Sequence, residues 1–216
     1  REMNGKVRHS LRLTAMLYLL DYGAGNIQSL ANSLTKLGYT YEWVREPSDI
    51  SKADKLLFPG VGSFASAMDA LHAKGYVEPL RAYIQSGKPL MGICVGMQVL
   101  FEGSDESPGV PGLGIVPARV GRFATQDAFG RKAVPHMGWS LANVVEWDGC
   151  ADQRHELAKS YGMHDANPSH YYFVHSYRVA WDANVAEWAL TTTQYGNEVF
   201  VSSIQHANVF ATQFHP

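Results

Sequence analysis

The sequence predicts an α/β fold: a mostly parallel central sheet flanked by helices, with antiparallel additions in the C-terminal half. Two patterns predict it. Through the first half, short apolar runs alternate with segments of helical period, as they do where crossover helices join parallel strands. From about residue 113 the helical segments give way to one strand-like run after another. A chain of 216 residues, 46% of them hydrophobic, is long enough to bury one sizeable core, so both patterns belong to a single globular domain.

Taken in order, "MLYLLDYG" is the first strand. Ile27, Leu30, Leu34 and Leu37 then recur at helical spacing until Gly38 ends the helix. "YTYEWV" is a second strand and "KLLFPG" a third. Ser63 reads as the N-cap of a helix over "FASAMDALHAKG", whose Phe64, Ala67 and Leu71 share a face. A further helix, "VEPLRAYIQSG", leads into the strand "KPLMGIC". In the second half "GIVPARVGRF", "KAVPHMGWSL", "YYFVHSYRV", "WALTTTQYG", "VFVSSIQHA" and "VFATQFHP" read as strands or strand ends, adding antiparallel members to the sheet. The polar stretch "EWDGCADQRHELAKSYGMHDANPSH", broken by glycine and proline, reads as a surface excursion with one short helix.

Several function classes drop out on composition. A formal net charge of −2 gives no electrostatic case for nucleic acid as a partner. No apolar stretch reaches the roughly 18 residues that a membrane-spanning helix needs, so no membrane is expected. Two cysteines, Cys94 and Cys150, argue against a disulfide scaffold and for a reducing compartment. No metal site and no cofactor are expected. Residues 1–14 read as an extension outside the core domain, 15–216. The opening has the basic-then-apolar outline of a targeting peptide, but it lacks a small-residue cleavage site, and "AMLYLLDYG" reads better as a buried strand. With no initiator Met, the extension reads as the remnant of something longer.

The chemistry points to "MGICVGMQ". Gly92-Ile93-Cys94-Val95-Gly96 has the spacing of a nucleophile elbow, a sharp turn from strand to helix. Glycines on either side remove the Cβ atoms that would obstruct a nucleophile held in a strained backbone conformation. Unpaired N–H groups at the start of the helix would favour the thiolate. The alternative is a buried apolar cysteine closing a strand, a common fate of free thiols. Two other features bear on the choice. "FPGVGSF", at the end of the preceding strand, can turn a backbone N–H toward a tetrahedral oxyanion, or be an ordinary tight turn before a helix. His215 closes the last apolar strand, at the edge of the sheet where a base for Cys94 would have to lie; otherwise it is one more satisfied histidine among nine.

From about residue 16 to the end, the chain resembles a class I, or triad-type, glutamine amidotransferase, a flavodoxin-like fold. "PGVG", "GICVGMQ" and "FHP" carry that likeness. "DYGAGN" at 21–26, "PHMGW" at 135–139 and "HSY" at 175–177 narrow it to the glutaminase component of imidazole glycerol phosphate synthase, in histidine biosynthesis. The resemblance implies hydrolysis of glutamine to glutamate through a cysteine thioester. The ammonia passes to a (β/α)8-barrel cyclase, fused or separate, which makes imidazole glycerol phosphate and an aminoimidazole carboxamide ribotide. It makes Cys94 the nucleophile and His215 the base and later the acid. The Val95 amide and the Gly60, Val61 and Gly62 loop become the oxyanion hole. Gln98 and Glu106 would hold the amino-acid end of the substrate, and Ser176 and Tyr177 would line its pocket. Pro135, His136, Met137, Gly138 and Trp139 would face the cyclase and the ammonia passage. Read singly, Gln98 could be a solvated helix residue, Glu106 a surface charge, and Tyr177 and Trp139 core aromatics.

One departure from the family pattern stands out. The family places a glutamate after the FHP proline, to orient the histidine, whereas this sequence has Pro216 as its last residue and no upstream acid to take the role. Losing an orienter costs up to about four orders of magnitude in a serine triad. The expectation is therefore one portion of a longer polypeptide, with the cyclase fused beyond it as in fungal and plant relatives. The cytosol is the expected compartment, or the plastid in a plant. The competing readings are another class I amidotransferase or γ-glutamyl hydrolase, and a module that keeps the fold but is catalytically silent. A cysteine peptidase of similar fold finds no support, since no extended substrate groove is evident in the sequence.

Overall fold

The computed structural model describes residues 15–23, 27–128, 130–145, 158–159 and 170–215. The extension over 1–14, the second half of "DYGAGN", Cys150 and nearly all of the polar excursion lie outside the described residues.

Five parallel strands form the centre, in the order β2 (Glu42–Val44), β1 (Leu17–Leu20), β3 (Lys55–Gly60), β4 (Leu90–Cys94), β15 (Val209–Thr212). Helix α1 (Ile27–Lys36) carries the chain from β1 to β2, burying Ala31 and Leu34 against Leu19, with Gly38 at φ 82° allowing the chain to leave it. Helix α2 (Pro47–Lys52) has no counterpart in the sequence reading, because its six mostly polar residues bury only Ile50 and show no apolar period. Local chemistry makes it instead: Pro47 opens the helix, and the Asp49 carboxylate accepts from the Glu46 backbone N–H in a capping box. Helices α3 (Phe64–Ala73) and α4 (Val77–Gln85) cross between β3 and β4, and Ser63 caps α3 by accepting from the Ser66 N–H, as its position predicts.

The antiparallel additions attach beyond β15. Strand β14 (Glu198–His206) forms a hairpin with β15 and pairs with β12 (Tyr177–Ala180) and β13 (Ala189–Tyr195), while β10 (Asn143–Val144) extends β13. β12 leads to β6 (Val116–Arg122), which pairs in parallel with β5 (Phe101–Ser104). Two of the predicted strands do not join this sheet. β9 (His136–Leu141) and β11 (His170–His175) make a separate two-stranded ribbon, and "YYFVHSYRV" breaks at Ser176 between β11 and β12. One face of the ribbon is covered by the second core, where Tyr171, Phe173, Phe200 and Phe214 pack together. A short hairpin, β7 (Gln126–Asp127) with β8 (Gly130–Arg131), falls between β6 and β9.

Asn208, in the tight turn of the β14–β15 hairpin, locks this end of the sheet. Its Nδ2 donates to the carbonyls of Ile84 (2.9 Å) and Lys88 (2.8 Å), and its own carbonyl accepts from the Leu90 N–H. Helix α4, β4 and β15 thus share one side chain. Asn208→Ala leaves two carbonyls without that donor and should cost about 1–2 kcal/mol. Thermal unfolding followed by circular dichroism should show a Tm lower by roughly 2–8 °C; an unchanged Tm would mean that water replaces the amide at no cost.

Candidate active site

Cys94 ends β4 and precedes the four-residue helix α5 (Val95–Gln98), with φ 56° and ψ −110°. A non-glycine residue held there stores roughly 1–3 kcal/mol of strain, so its surroundings must leave it no alternative. They do so by close contact through three glycines. A Cβ on Gly96 would lie 1.9 Å from the Phe58 carbonyl oxygen of β3. One on Gly92 would lie 2.8 Å from the Gly96 oxygen and 3.1 Å from the Ala211 Cβ of β15. One on Gly60 would lie 2.6 Å from the Gly96 nitrogen. Elbow and β3 therefore touch backbone to backbone, with the Ala211 side chain of β15 close against Gly92, and no other residue type fits at these three positions.

The sulfur sits in a low-dielectric setting, 7% exposed. Burial pushes the thiol up to about 11, and the Val95 backbone N–H and the Gln213 amide only partly oppose it. The expected preference for thiolate at the helix start is thus outweighed, because α5 is a single turn with little dipole while the sulfur is almost wholly desolvated. Gln213 Nε2 approaches Sγ at 3.7 Å, and its Oε1 accepts from Gln98 Nε2 at 2.9 Å. Gln98 also donates to the Tyr177 carbonyl (3.2 Å) and is 4% exposed, so it is no solvated helix residue. It lies four residues after Cys94, one helical turn on.

His215 lies three residues beyond the end of β15. Its backbone N–H donates to the Tyr172 carbonyl of the ribbon (3.1 Å), while the preceding Phe214 stacks on Tyr171 with ring centroids 4.2 Å apart. Burial lowers the imidazole from its ordinary value, so at neutral pH it is an uncharged base. Glu106, on the loop after β5, turns back to accept from the Phe64 N–H at the start of α3 (2.8 Å).

A cavity of about 370 Å³ brings the predicted residues together: Cys94, Val95, Val61, Gly62, Gln98, Glu106, Ser176, Tyr177 and His215 all line it, with Pro135, Val174 and His175. Gly60 lies behind this wall, at the contact with Gly96. The segment 135–139 divides. Pro135 reaches the cavity, whereas His136 turns inward, 2% exposed, and stacks on Tyr195 at 4.2 Å. Met137 and Trp139 face outward, 64% and 69% exposed, so Trp139 is no core aromatic. Gly138 separates them at φ 148°.

Sequence reasoning missed Gln213 and His175. The signal for Gln213 was a lone amide in an otherwise apolar strand end, and for His175 a histidine beside the "SY" of the pocket. His175 Nδ1 meets the Tyr177 carbonyl at 2.8 Å, which fixes the proton on that nitrogen because a carbonyl only accepts. His136 and His175 are both held neutral: burial lowers His136 to about 4 and His175 to about 3.

A strained cysteine at a strand-to-helix turn, a neutral histidine just past the end of the adjoining parallel strand and an acidic side chain lining the same cavity are the equipment of a cysteine amidase. The fold around them is that of the triad amidotransferases, and the chain belongs to that family: the model for glutamine amidotransferase class-I matches residues 18–216. Within the family its place is with the glutaminase components of imidazole glycerol phosphate synthase. The chain is 45% identical over 203 residues to "Imidazole glycerol phosphate synthase hisHF" of Emericella nidulans, covering 93% of itself and 35% of that protein. It is 44% identical over 210 residues to the hisHF protein of Arabidopsis thaliana, described as chloroplastic, covering 97% of itself and 33% of the relative. To the "subunit HisH" of a Synechococcus species it is 38% identical over 205 residues, covering 93% of itself and 85% of that subunit. The chain thus spans about a third of the fused relatives and most of the separate subunit. A solved glutamine amidotransferase shares the fold with a TM-score of 0.63 at 19% identity, over 93% of this chain and 89% of that one.

Two outcomes follow from the burial of these groups. With the thiol near 11, alkylation of Cys94 by iodoacetamide should still rise about tenfold per pH unit through pH 9.5; a curve that bends over near pH 8.5 would show an ordinary thiol. The two buried histidines refuse protons that the unfolded chain takes up below about pH 6.5. Their contribution to stability is complete above that pH and is lost as pH falls toward about 4 for His136 and about 3 for His175. Melts from pH 7.5 down to 4.5 should show a smaller fall in Tm for His136→Phe than for wild type.

Proposed function

We propose that this chain is the glutaminase of an imidazole glycerol phosphate synthase, hydrolysing glutamine and delivering ammonia to a (β/α)8-barrel cyclase, fused or separate. The observation that carries the reading is the parallel pairing of β15 with β4, which sets Cys94 and His215 in one cavity with Glu106 opposite.

In this reading Cys94 Sγ attacks the side-chain amide carbon of glutamine as its proton passes to His215. Both groups start neutral, so the charge that develops rests on the carbonyl oxygen, where the Val95 N–H and the Val61–Gly62 loop can donate. Collapse breaks the C–N bond, with His215 returning the proton to the leaving ammonia. Water, with His215 as base, then splits the thioester to release glutamate. Glu106 and Gln98 hold the substrate's amino-acid end. A carboxylate with one oxygen already engaged by Phe64 presents the other to an α-ammonium in a fixed direction. Ser176 and Tyr177 form the facing wall. The outward side chains Met137 and Trp139 offer an apolar surface to the cyclase, next to Pro135 at the cavity mouth. The compartment that goes with this function is the cytosol, or the plastid in a plant, as for the Arabidopsis thaliana relative.

The decisive measurement is ammonia release from glutamine by the chain assembled with its cyclase, with and without the cyclase's nucleotide substrate. Release should rise with that ligand and fall at least about 10³-fold in Cys94→Ser. Indifference to the ligand would point to another glutaminase, and activity surviving in Cys94→Ser would remove the nucleophile. Glu106→Gln keeps an acceptor for Phe64 but loses the charge, and should raise KM about 10- to 100-fold with little change in kcat.

A further inference from the structure

Gln213, two residues before the base, is 1% exposed. An amide so buried costs stability unless both of its ends find partners. Both do, and the bonds run in one direction, from a backbone carbonyl to the sulfur. The Tyr177 carbonyl can only accept, so the end of Gln98 that faces it at 3.2 Å is the amide nitrogen. His175 Nδ1 meets the same oxygen at 2.8 Å as a second donor. The other N–H of Gln98 reaches Gln213 at 2.9 Å, so the end of Gln213 found there is Oε1. Nε2 is thereby left for Cys94 Sγ, at 3.7 Å, a contact that the larger radius of sulfur allows. One carbonyl thus fixes which way both amides point.

That direction has two consequences for the thiol. An amide nitrogen accepts no hydrogen bond, so the S–H cannot be lodged on Gln213 and is left for the cavity that His215 also lines. When the S–H bond breaks and the proton passes to His215, the electron pair stays on a sulfur that already faces an N–H. We propose that Gln213 is a further catalytic residue: its amide N–H, aimed by the relay from the Tyr177 carbonyl through Gln98, holds the negative charge on Cys94 Sγ until the S–C bond forms. This assignment rests on the glutaminase reading. A donor also blunts the nucleophilicity of a thiolate, but by only about 0.4–0.5 of the change in basicity on a logarithmic scale, less than it adds to the thiolate's share. For a thiol that burial keeps protonated at rest, the balance favours the donor.

The test is Gln213→Met in the chain assembled with its cyclase, a change that fills the site without a donor. A thiolate fraction about tenfold smaller, partly offset by a more basic sulfur, should slow alkylation of Cys94 by iodoacetamide at pH 9 about threefold. The kcat for glutamine should fall about 3- to 10-fold, with KM changed less than about twofold because Gln98 keeps its bond to the Tyr177 carbonyl. Gln98→Met removes the donor that fixes the Gln213 amide and should slow alkylation in the same direction; it decides by that readout alone if Gln213→Met does not fold. A merely structural amide would lower the Tm and loosen the elbow, leaving the thiol as reactive as before or more so. Alkylation that is unchanged or faster in either variant therefore overturns the assignment, whatever the Tm. A wild-type assembly that releases no ammonia overturns the underlying glutaminase reading, whereas wild-type release matched by Gln213→Met overturns the role of Gln213 alone.

Discussion

The pairing of β15 with β4 is the constraint on which the rest of the molecule depends. These two strands lie far apart in sequence, yet Thr212 aligns with Ile93, which delivers the residues after β15 to the mouth of the elbow. The contact is stabilised from several sides. The β14–β15 hairpin presents the strand, Asn208 ties its start to α4, and Gly92 leaves room for Ala211. Strand pairing, one buried amide and one close glycine contact act together, so the relative placement of Cys94 and His215 is set by the sheet and its short ties rather than by long flexible side chains.

The elbow itself follows from the same closeness. In a parallel sheet a strand must be followed by a turn into a helix, and the first helical turn normally stands clear of the neighbouring strand. Here Gly96 approaches the Phe58 carbonyl and Gly60 approaches the Gly96 nitrogen, so α5 starts almost on top of β3. The positive φ of Cys94 is the consequence. Strain at that one residue is tolerated because the glycine contacts and the apolar residues of the main core leave the chain no wider path.

The alternation of apolar runs and helical period was enough to read the parallel centre, since strands β1, β3 and β4 are short, buried and separated by amphipathic helices. The elbow was readable for a local reason, the glycine spacing around Cys94, and the capping serine of α3 likewise. What the residues could not reveal was partnership at a distance. Nothing in "KAVPHMGWSL" distinguishes a strand of the main sheet from one arm of a separate ribbon, because both alternate and both bury one face. The inward turn of His136 beside outward Met137 and Trp139 depends on which face the second core covers. Gln213 escaped notice because its partners, Cys94 and Gln98, lie more than a hundred positions away. α2 was hidden because capping rather than apolar period builds it.

The electrostatics of the cavity join these observations. Thiol and imidazole are each kept neutral by burial, so the resting site holds no charged pair. Moving a proton between them creates two charges in a poorly solvated place, which is unfavourable unless donors already face the oxygen that becomes negative. The Val95 amide is locked by the elbow. The Val61 side of the hole is different: it belongs to a loop whose Val61 is 40% exposed and which shares the cavity rim with Pro135, the first residue of the segment that presents Met137 and Trp139. In the proposed function the donor from Val95 is thus built into the elbow, while the donor from the Val61–Gly62 loop lines the same cavity as Pro135, beside the surface proposed to meet the cyclase. In the proposed function, a partner seated on that surface would close the cavity over the loop and exclude water from the forming charges, so that glutamine would be cut fastest where its ammonia has somewhere to go.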